Sequence, residues 1–174
     1  TTAGVRKGDR VSTFLFNTSE LATTLFACAK IGAIFNPINF RLKSEEVAYI
    51  LNDAMPKVVL FEEVLKDQVA SIQSQFPDTK FLFINEETKK NEKNYHEEVG
   101  KAQTTSPTIE VSESDTYAIM YTSGTTGRPK GVIHRHRDMA EQSLICTAVL
   151  HYTKNDVGLV IAPMFHCAEL HCCV

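Results

Sequence analysis

Residues 9–35 read DRVSTFLFNTSELATTLFACAKIGAIF, and the change of rhythm inside them decides the fold. The first nine positions form a mostly apolar run of strand length that ends at Asn17. Such a run suits a strand buried on both faces of a parallel sheet. After Asn17 the period becomes helical, with Leu21, Leu25, Phe26, Ala29 and Ala33 sharing one face. Ser19 is placed to cap this helix, Glu20 suits its positive start, and Gly32 is placed to end it. The following NPIN is a break, because Pro37 fixes its own φ and biases Asn36 away from helix.

The alternation repeats outward from that unit. Residues 43–54 (KSEEVAYILNDA) predict a second helix with Ser44 as cap and Val47, Ile50 and Leu51 on one face. Residues 56–63 are dense in β-branched residues and predict a strand. Residues 62–76 predict a third helix ended by Pro77, and residues 80–85 a third strand. Strand–helix alternation implies an α/β fold, with parallel sheets flanked by helices. Residues 86–113 are charged and lack long apolar periodicity. They read as a surface excursion with one short helix, and as the boundary between sub-lobes 1–112 and 113–174. Beyond it come strands at 115–123 and 130–136, a helix at 138–152 and a strand at 156–163. A second, incomplete sheet portion is expected there, and its missing strands would favour a dimer or swapped dimer.

The formal net charge of the 174 residues is −3, so bulk charge does not point to nucleic acid or an anionic membrane. No apolar run approaches the ~20 residues that span a bilayer. Five cysteines, an odd number, with Cys28 and Cys146 inside apolar helical patterns, favour a reducing, cytoplasmic setting. Both ends read as cut, so the chain is expected to be a piece of a longer protein.

Residues 121–131, YTSGTTGRPKG, are the chemical centre of the sequence. Glycines allow positive φ and close approach of a ligand. Successive backbone N–H groups then form an anion-binding concavity. Thr122, Ser123, Thr125 and Thr126 add neutral donors, and Lys130 adds a mobile cation suited to a phosphate oxygen. The Walker pattern GxxxxGK[ST] fails, because Gly131 stands where the hydroxyl should be and GVIHRH follows, which is β-like rather than a helix start. The loop is therefore expected to join two strands. A plain hairpin turn is the competing reading of its composition, but the order SGTTGxPKG is far more specific than composition.

That string resembles the phosphate-loop signature of the adenylate-forming enzymes, which include acyl-CoA synthetases, luciferases and peptide-synthetase adenylation domains. The region from Gly8 to Glu63, with Lys30-x-Gly32-Ala33 and NPIN-RL, is similar to the family's N-terminal region in its acyl- and aryl-CoA ligase form. Residues 162–169, APMFHCAE, resemble the later segment in which a Phe–His pair lines the carboxylate pocket. The resemblance implies a fold like the large N-terminal domain of an acyl-CoA synthetase, and ATP-dependent formation of acyl-AMP followed by transfer to CoA. It implies Thr122, Ser123, Thr125, Thr126 and Lys130 on the β- and γ-phosphates, Gly124 and Gly127 shaping the loop, and His166 with Phe165 beside the reacting carboxylate. Arg128 falls at a variable position, His136 matches a histidine often found after the loop strand, and His134 is assigned no role. Glu169 stands where a small residue is usual, which puts the local pocket shape in question.

The resemblance further implies that the adenine and ribose segments, the glutamate that binds Mg²⁺ and the C-terminal lid domain lie outside these residues. The chain alone is then expected to be inactive. A fatty acid is the first expected substrate and an aryl acid the alternative. A peptide-type adenylation domain, and a truncated nucleotide- or partner-binding module without catalysis, are further readings. The tail HCAELHCC (166–173) could bring His166 and His171 to a zinc ion with Cys167 or Cys172, but it lacks the paired ligand knuckles of common structural sites, and no metal ligand is assigned.

Overall fold

The computed structural model describes residues 3–84, 94–122 and 127–170. Six strands form one sheet in the order β4-β3-β1-β2-β5-β6. They are β1 (Arg10–Phe14), β2 (Ile34–Pro37), β3 (Val58–Glu62), β4 (Lys80–Ile84), β5 (Thr116–Thr122) and β6 (Lys130–Arg135). The first five are mutually parallel, and β6 returns antiparallel to β5. The helices are α1 (Ser19–Ile31), α2 (Ser44–Ala54), α3 (Lys66–Gln73), α4 (Tyr95–Gly100), α5 (His136–Leu150) and α6 (Cys167–Leu170).

The pleat distributes the apolar strand residues to two cores. Val58, Leu60 and Leu82 pack with Leu21, Leu25, Cys28 and Ile31 of α1 on one face. Val59, Phe61, Phe81 and Phe83 pack with Val47, Ile50 and Leu51 of α2 and Val69 and Ile72 of α3 on the other. A side chain such as Leu25, with no exposed surface, contributes about 2 kcal/mol by leaving water. This three-layer arrangement explains the near-continuous apolar strands in the sequence.

The local signals are partly shifted. Thr18, not Ser19, caps α1, its hydroxyl accepting from the Leu21 N–H at 3.2 Å. Gly32 ends that helix at φ 65°, and a Cβ there would lie 2.9 Å from Lys7 Cγ. At α2 the cap position is Lys43, whose N–H donates to the Glu46 carboxylate at 2.9 Å, while the Ser44 hydroxyl donates to the Gln68 carbonyl at 3.3 Å.

Two expectations are corrected. The NPIN break contains the end of β2, a central strand. Asn and Pro are poor strand formers, yet Pro37 closes the strand and the next N–H, that of Ile38, donates to the Thr13 carbonyl at 2.8 Å. The run at 156–163 forms no strand, and β5 and β6 belong to the first sheet rather than to a separate portion. Val157, Leu159 and Ile161 are 97%, 81% and 78% exposed, so the apolar side chains of this run face solvent.

A buried polar chain crosses the middle of the sheet. The Ser12 hydroxyl donates to Asn36 Oδ1 at 2.7 Å, and Asn36 Nδ2 donates to the Ile119 carbonyl at 2.9 Å. Both side chains are fully buried, so this chain fixes β1, β2 and β5 in one register.

Candidate functional site

In open α/β sheets ligands gather outside the carboxyl ends of the strands. Here β5 delivers the glycine-rich loop to that edge, and β6 carries it back. The hairpin pairs Tyr121 with Gly131 and Thr122 with Lys130, so the loop joins two strands and has no helix N-terminus behind it. Thr122 and Lys130 therefore stand opposite each other at the mouth, both exposed. Gly127 sits at φ 89°, a conformation that disfavours other residues. Ser123, Gly124, Thr125 and Thr126 lie outside the described residues.

Gly131 has a steric role. A Cβ there would come 2.8 Å from Ile119 Cγ2 and 3.2 Å from the Tyr121 ring. The Tyr121 side chain crosses this bare backbone, and its hydroxyl donates to Asp53 Oδ2 at 2.5 Å. Burial, followed by the hydrogen bond to Asp53 and the charge of that carboxylate, raises the Tyr121 pKa above its ordinary value and keeps the hydroxyl a donor. Arg128 lies over the Tyr49 ring, 5.7 Å from its centre.

The other wall is built at the ends of β1 and β2. Phe16 stacks on Phe40 at 4.1 Å, and Phe165 meets Phe40 edge-on at 5.2 Å. Asn17 holds the later segment from both sides. Its Nδ2 donates to the Ala162 carbonyl, and its Oδ1 accepts from the Met164 N–H, each at 2.8 Å. Met164 and Leu170 are buried in the α1-side core, which leaves His166 exposed between them. The Ala168 N–H donates to His166 Nδ1 at 3.3 Å, so the neutral ring carries its proton on Nε2. Glu62, at the end of β3, accepts from the Phe16 N–H at 3.2 Å. Burial raises its carboxyl pKa, opposed by that hydrogen bond and reinforced by the charge of Glu20.

The structure thus brings Thr122, Gly127 and Lys130 to one hairpin, and His166 to the same sheet edge on a separate segment. In the sheet β2 lies between β1 and β5. His136 begins α5 at the far end of β6, its ring edge-on to Tyr117 at 5.1 Å. Asn17, Phe16, Phe40, Tyr121 and Asp53 were not singled out as site residues from the sequence. Only the placement of Phe16–Asn17 at the end of the first strand offered a signal.

Among the described residues, no group of three or more His, Cys, Asp or Glu side chains could hold a metal ion, and no helix is long and apolar enough to cross a membrane. His171, Cys172 and Cys173 lie outside the described residues. An apolar cavity of about 360 Å³ beneath α1, lined by Cys28, Val58 and Leu60 among others, includes no residue of the glycine-rich loop. Burial there pushes the Cys28 thiol up to about 12.

Comparison with known proteins places this geometry. The AMP-binding enzyme family matches residues 1–174. The long-chain-fatty-acid–CoA ligase FadD13 of Mycobacterium tuberculosis is 34% identical over 172 residues, covering 98% of this chain and 33% of that protein. A feruloyl-CoA synthase of Amycolatopsis is 32% identical over 168 residues, covering 97% of this chain and 31% of that protein. The crystal structure of a long-chain-fatty-acid CoA ligase of Rhodopseudomonas palustris superposes with a TM-score of 0.89 at 28% identity, covering 98% of this chain and 42% of that one. The chain spans about a third of the length of the curated relatives it matches.

Proposed function

The chain belongs to the AMP-binding enzyme family, and from that premise we propose that the whole enzyme activates a carboxylic acid with ATP and passes the acyl group to CoA. A carboxylate oxygen attacks the α-phosphorus, the bond to the bridging oxygen breaks, and pyrophosphate leaves with its electron pair. The thiol sulfur of CoA then attacks the acyl carbon, AMP departs, and the thiol proton passes to a base or to solvent. The observation that carries the reading is the Thr122–Lys130 pair at the mouth of a strand-to-strand loop on the carboxyl edge of the sheet.

In this reading Thr122, Ser123, Thr125, Thr126 and Lys130 hold the β- and γ-phosphates, and Gly124 and Gly127 shape the loop. Negative charge grows on the pyrophosphate in the transition state, where fixed donors act most strongly. His166, held by the Asn17 contacts, stands beside the reacting carboxylate with Nε2–H as a donor. Among the described residues no group of three or more His, Cys, Asp or Glu side chains could hold the Mg²⁺ that the resemblance implies.

We take a fatty acid as the preferred substrate. An aryl acid is the second reading, favoured by the similarity to a feruloyl-CoA synthase. The sub-lobes 1–112 and 113–174, a C-terminal lid domain in the whole enzyme, a cytoplasmic location and inactivity of the 174-residue chain alone belong to the same proposal. The test is carboxylate-dependent pyrophosphate release by the full-length enzyme across a panel of fatty and aryl acids. Lys130→Met is expected to lower the rate about a hundredfold, the scale of losing one transition-state donor. No acid-dependent release from any panel member would refute the reading. Acyl-AMP formation by the purified 174-residue chain would refute its inactivity.

A further inference from the structure

The two arms of the loop are fastened to the same helix. On the outgoing arm the Tyr121 hydroxyl donates to Asp53, and on the returning arm the Arg128 guanidinium covers Tyr49. Tyr49 and Asp53 are four residues apart on α2, which puts them on one helix face. We propose that Asp53 and Tyr49 are positioning residues for the loop, holding its arms through Tyr121 and Arg128. The proposal rests on the reading that this loop binds polyphosphate.

Three observations make α2 a suitable anchor. Its inner face is fixed by Val47, Ile50, Leu51 and Ala54, all buried. Its C-terminal carbonyls are held by Arg10, whose Nε donates to the Ala54 carbonyl at 2.6 Å and whose guanidinium donates to that of Met55 at 2.8 Å. Gly131 leaves the space through which Tyr121 passes. The hydroxyl–carboxylate bond is charge-assisted, short and directional, and the guanidinium contact is within cation–π range. A hydroxyl-rich loop has few apolar contacts of its own. Fixing its arms reduces the ordering left to be done when an anion binds.

The anchors act through the loop and need not touch the phosphate. Asp53→Ala and Tyr121→Phe both delete the hydrogen bond. Asp53→Asn keeps an acceptor and is expected to restore it, and Tyr121→Phe keeps the ring over Gly131 if Asp53→Ala folds poorly. Arg128→Ala and Tyr49→Leu delete the second contact, whereas Tyr49→Phe preserves the ring.

Two measurements on the full-length enzyme separate the outcomes. The first is hydrogen exchange of the Lys130 and Gly131 amides, with the β1 and β3 amides as the fold control. The second is calorimetric titration with inorganic pyrophosphate. Deletion of either anchor is expected to speed exchange and weaken pyrophosphate binding about tenfold each, with recovery in Asp53→Asn and Tyr49→Phe. Unchanged exchange in Tyr121→Phe would overturn the anchor. Faster exchange with unchanged pyrophosphate affinity would overturn its positioning role. Wild-type full-length enzyme that binds no pyrophosphate would overturn the polyphosphate reading and this proposal with it, even where exchange responds.

Discussion

Replacing Asn36 by Ala tests how the sheet holds the strand that carries the loop. β2 meets β5 through the pair Phe35–Ala118, and Asn36 adds the side-chain link to the Ile119 carbonyl beside it. The substitution removes two hydrogen bonds, each worth about 1 kcal/mol net. It also leaves the Ser12 hydroxyl, fully buried, without its acceptor, which adds about 1 kcal/mol or more. The expected loss is about 3 kcal/mol. In a domain of this size that corresponds to a fall in Tm of roughly 6–12 °C. Ser12→Ala removes only the first bond and is expected to cost about 1.5 kcal/mol. The double variant should cost about 2 kcal/mol, roughly 2.5 kcal/mol less than the sum, because the Ser12–Asn36 bond can be lost only once and no polar group of that pair is left orphaned. Urea unfolding of the four proteins measures the cycle, with an unchanged m-value confirming that the same surface unfolds. A strictly additive cycle, or an Asn36→Ala cost under about 1 kcal/mol, would refute the buried chain as a structural link.

Three further outcomes are expected. Gly131→Ala should loosen the hairpin, because the new Cβ meets Ile119 at 2.8 Å; proteolysis at the loop should accelerate, while a variant cleaved at the wild-type rate would show that the strand shifts freely. Lys7 pairs with Asp115 at 2.7 Å, and the hydrogen bond from Lys7, then that from the Ser112 N–H, lower the Asp115 pKa below its ordinary 3.8. A depressed carboxyl stabilises the fold fully above its unfolded pKa and loses that contribution as pH falls through the folded one. Lys7→Met should therefore flatten stability below about pH 4, and an identical acid profile would argue against the pair. Leu144, Ile145 and Val149 on α5 and the run Val157–Ile161 are all exposed, so the chain should self-associate at micromolar concentration. Analytical ultracentrifugation reads this directly, and Leu144→Lys with Leu159→Lys should return it to monomer.

What the sequence makes legible is what depends on near neighbours. The helical period after Asn17, the β-branched run within residues 56–63 and the short helix inside the charged excursion are local patterns, and each is found in the structure, the strand as Val58–Glu62. β2 was hidden for the opposite reason. Ile34–Pro37 is short and ends in two residues that disfavour strands, and its place between β1 and β5 comes from pairing with partners distant in sequence. The run at Val157–Ile161 errs the other way, because an apolar pattern makes no strand without an edge to join.

The same distinction governs the site. The order of residues in the loop states its chemistry, since glycines, hydroxyls and a lysine bring their donors wherever the loop is placed. Geometry enters through contacts that no spacing announces. Tyr121 reaches Asp53 across 68 positions and Asn17 reaches Met164 across 147. A variable residue such as Arg128 has no motif value, yet it stands over Tyr49 on the helix that also holds Tyr121. On the proposed reading, the loop sequence specifies which ligand can be held, and α2 specifies where. Substitutions on α2 should change affinity for pyrophosphate without changing preference among anions, whereas substitutions of Lys130 should change both.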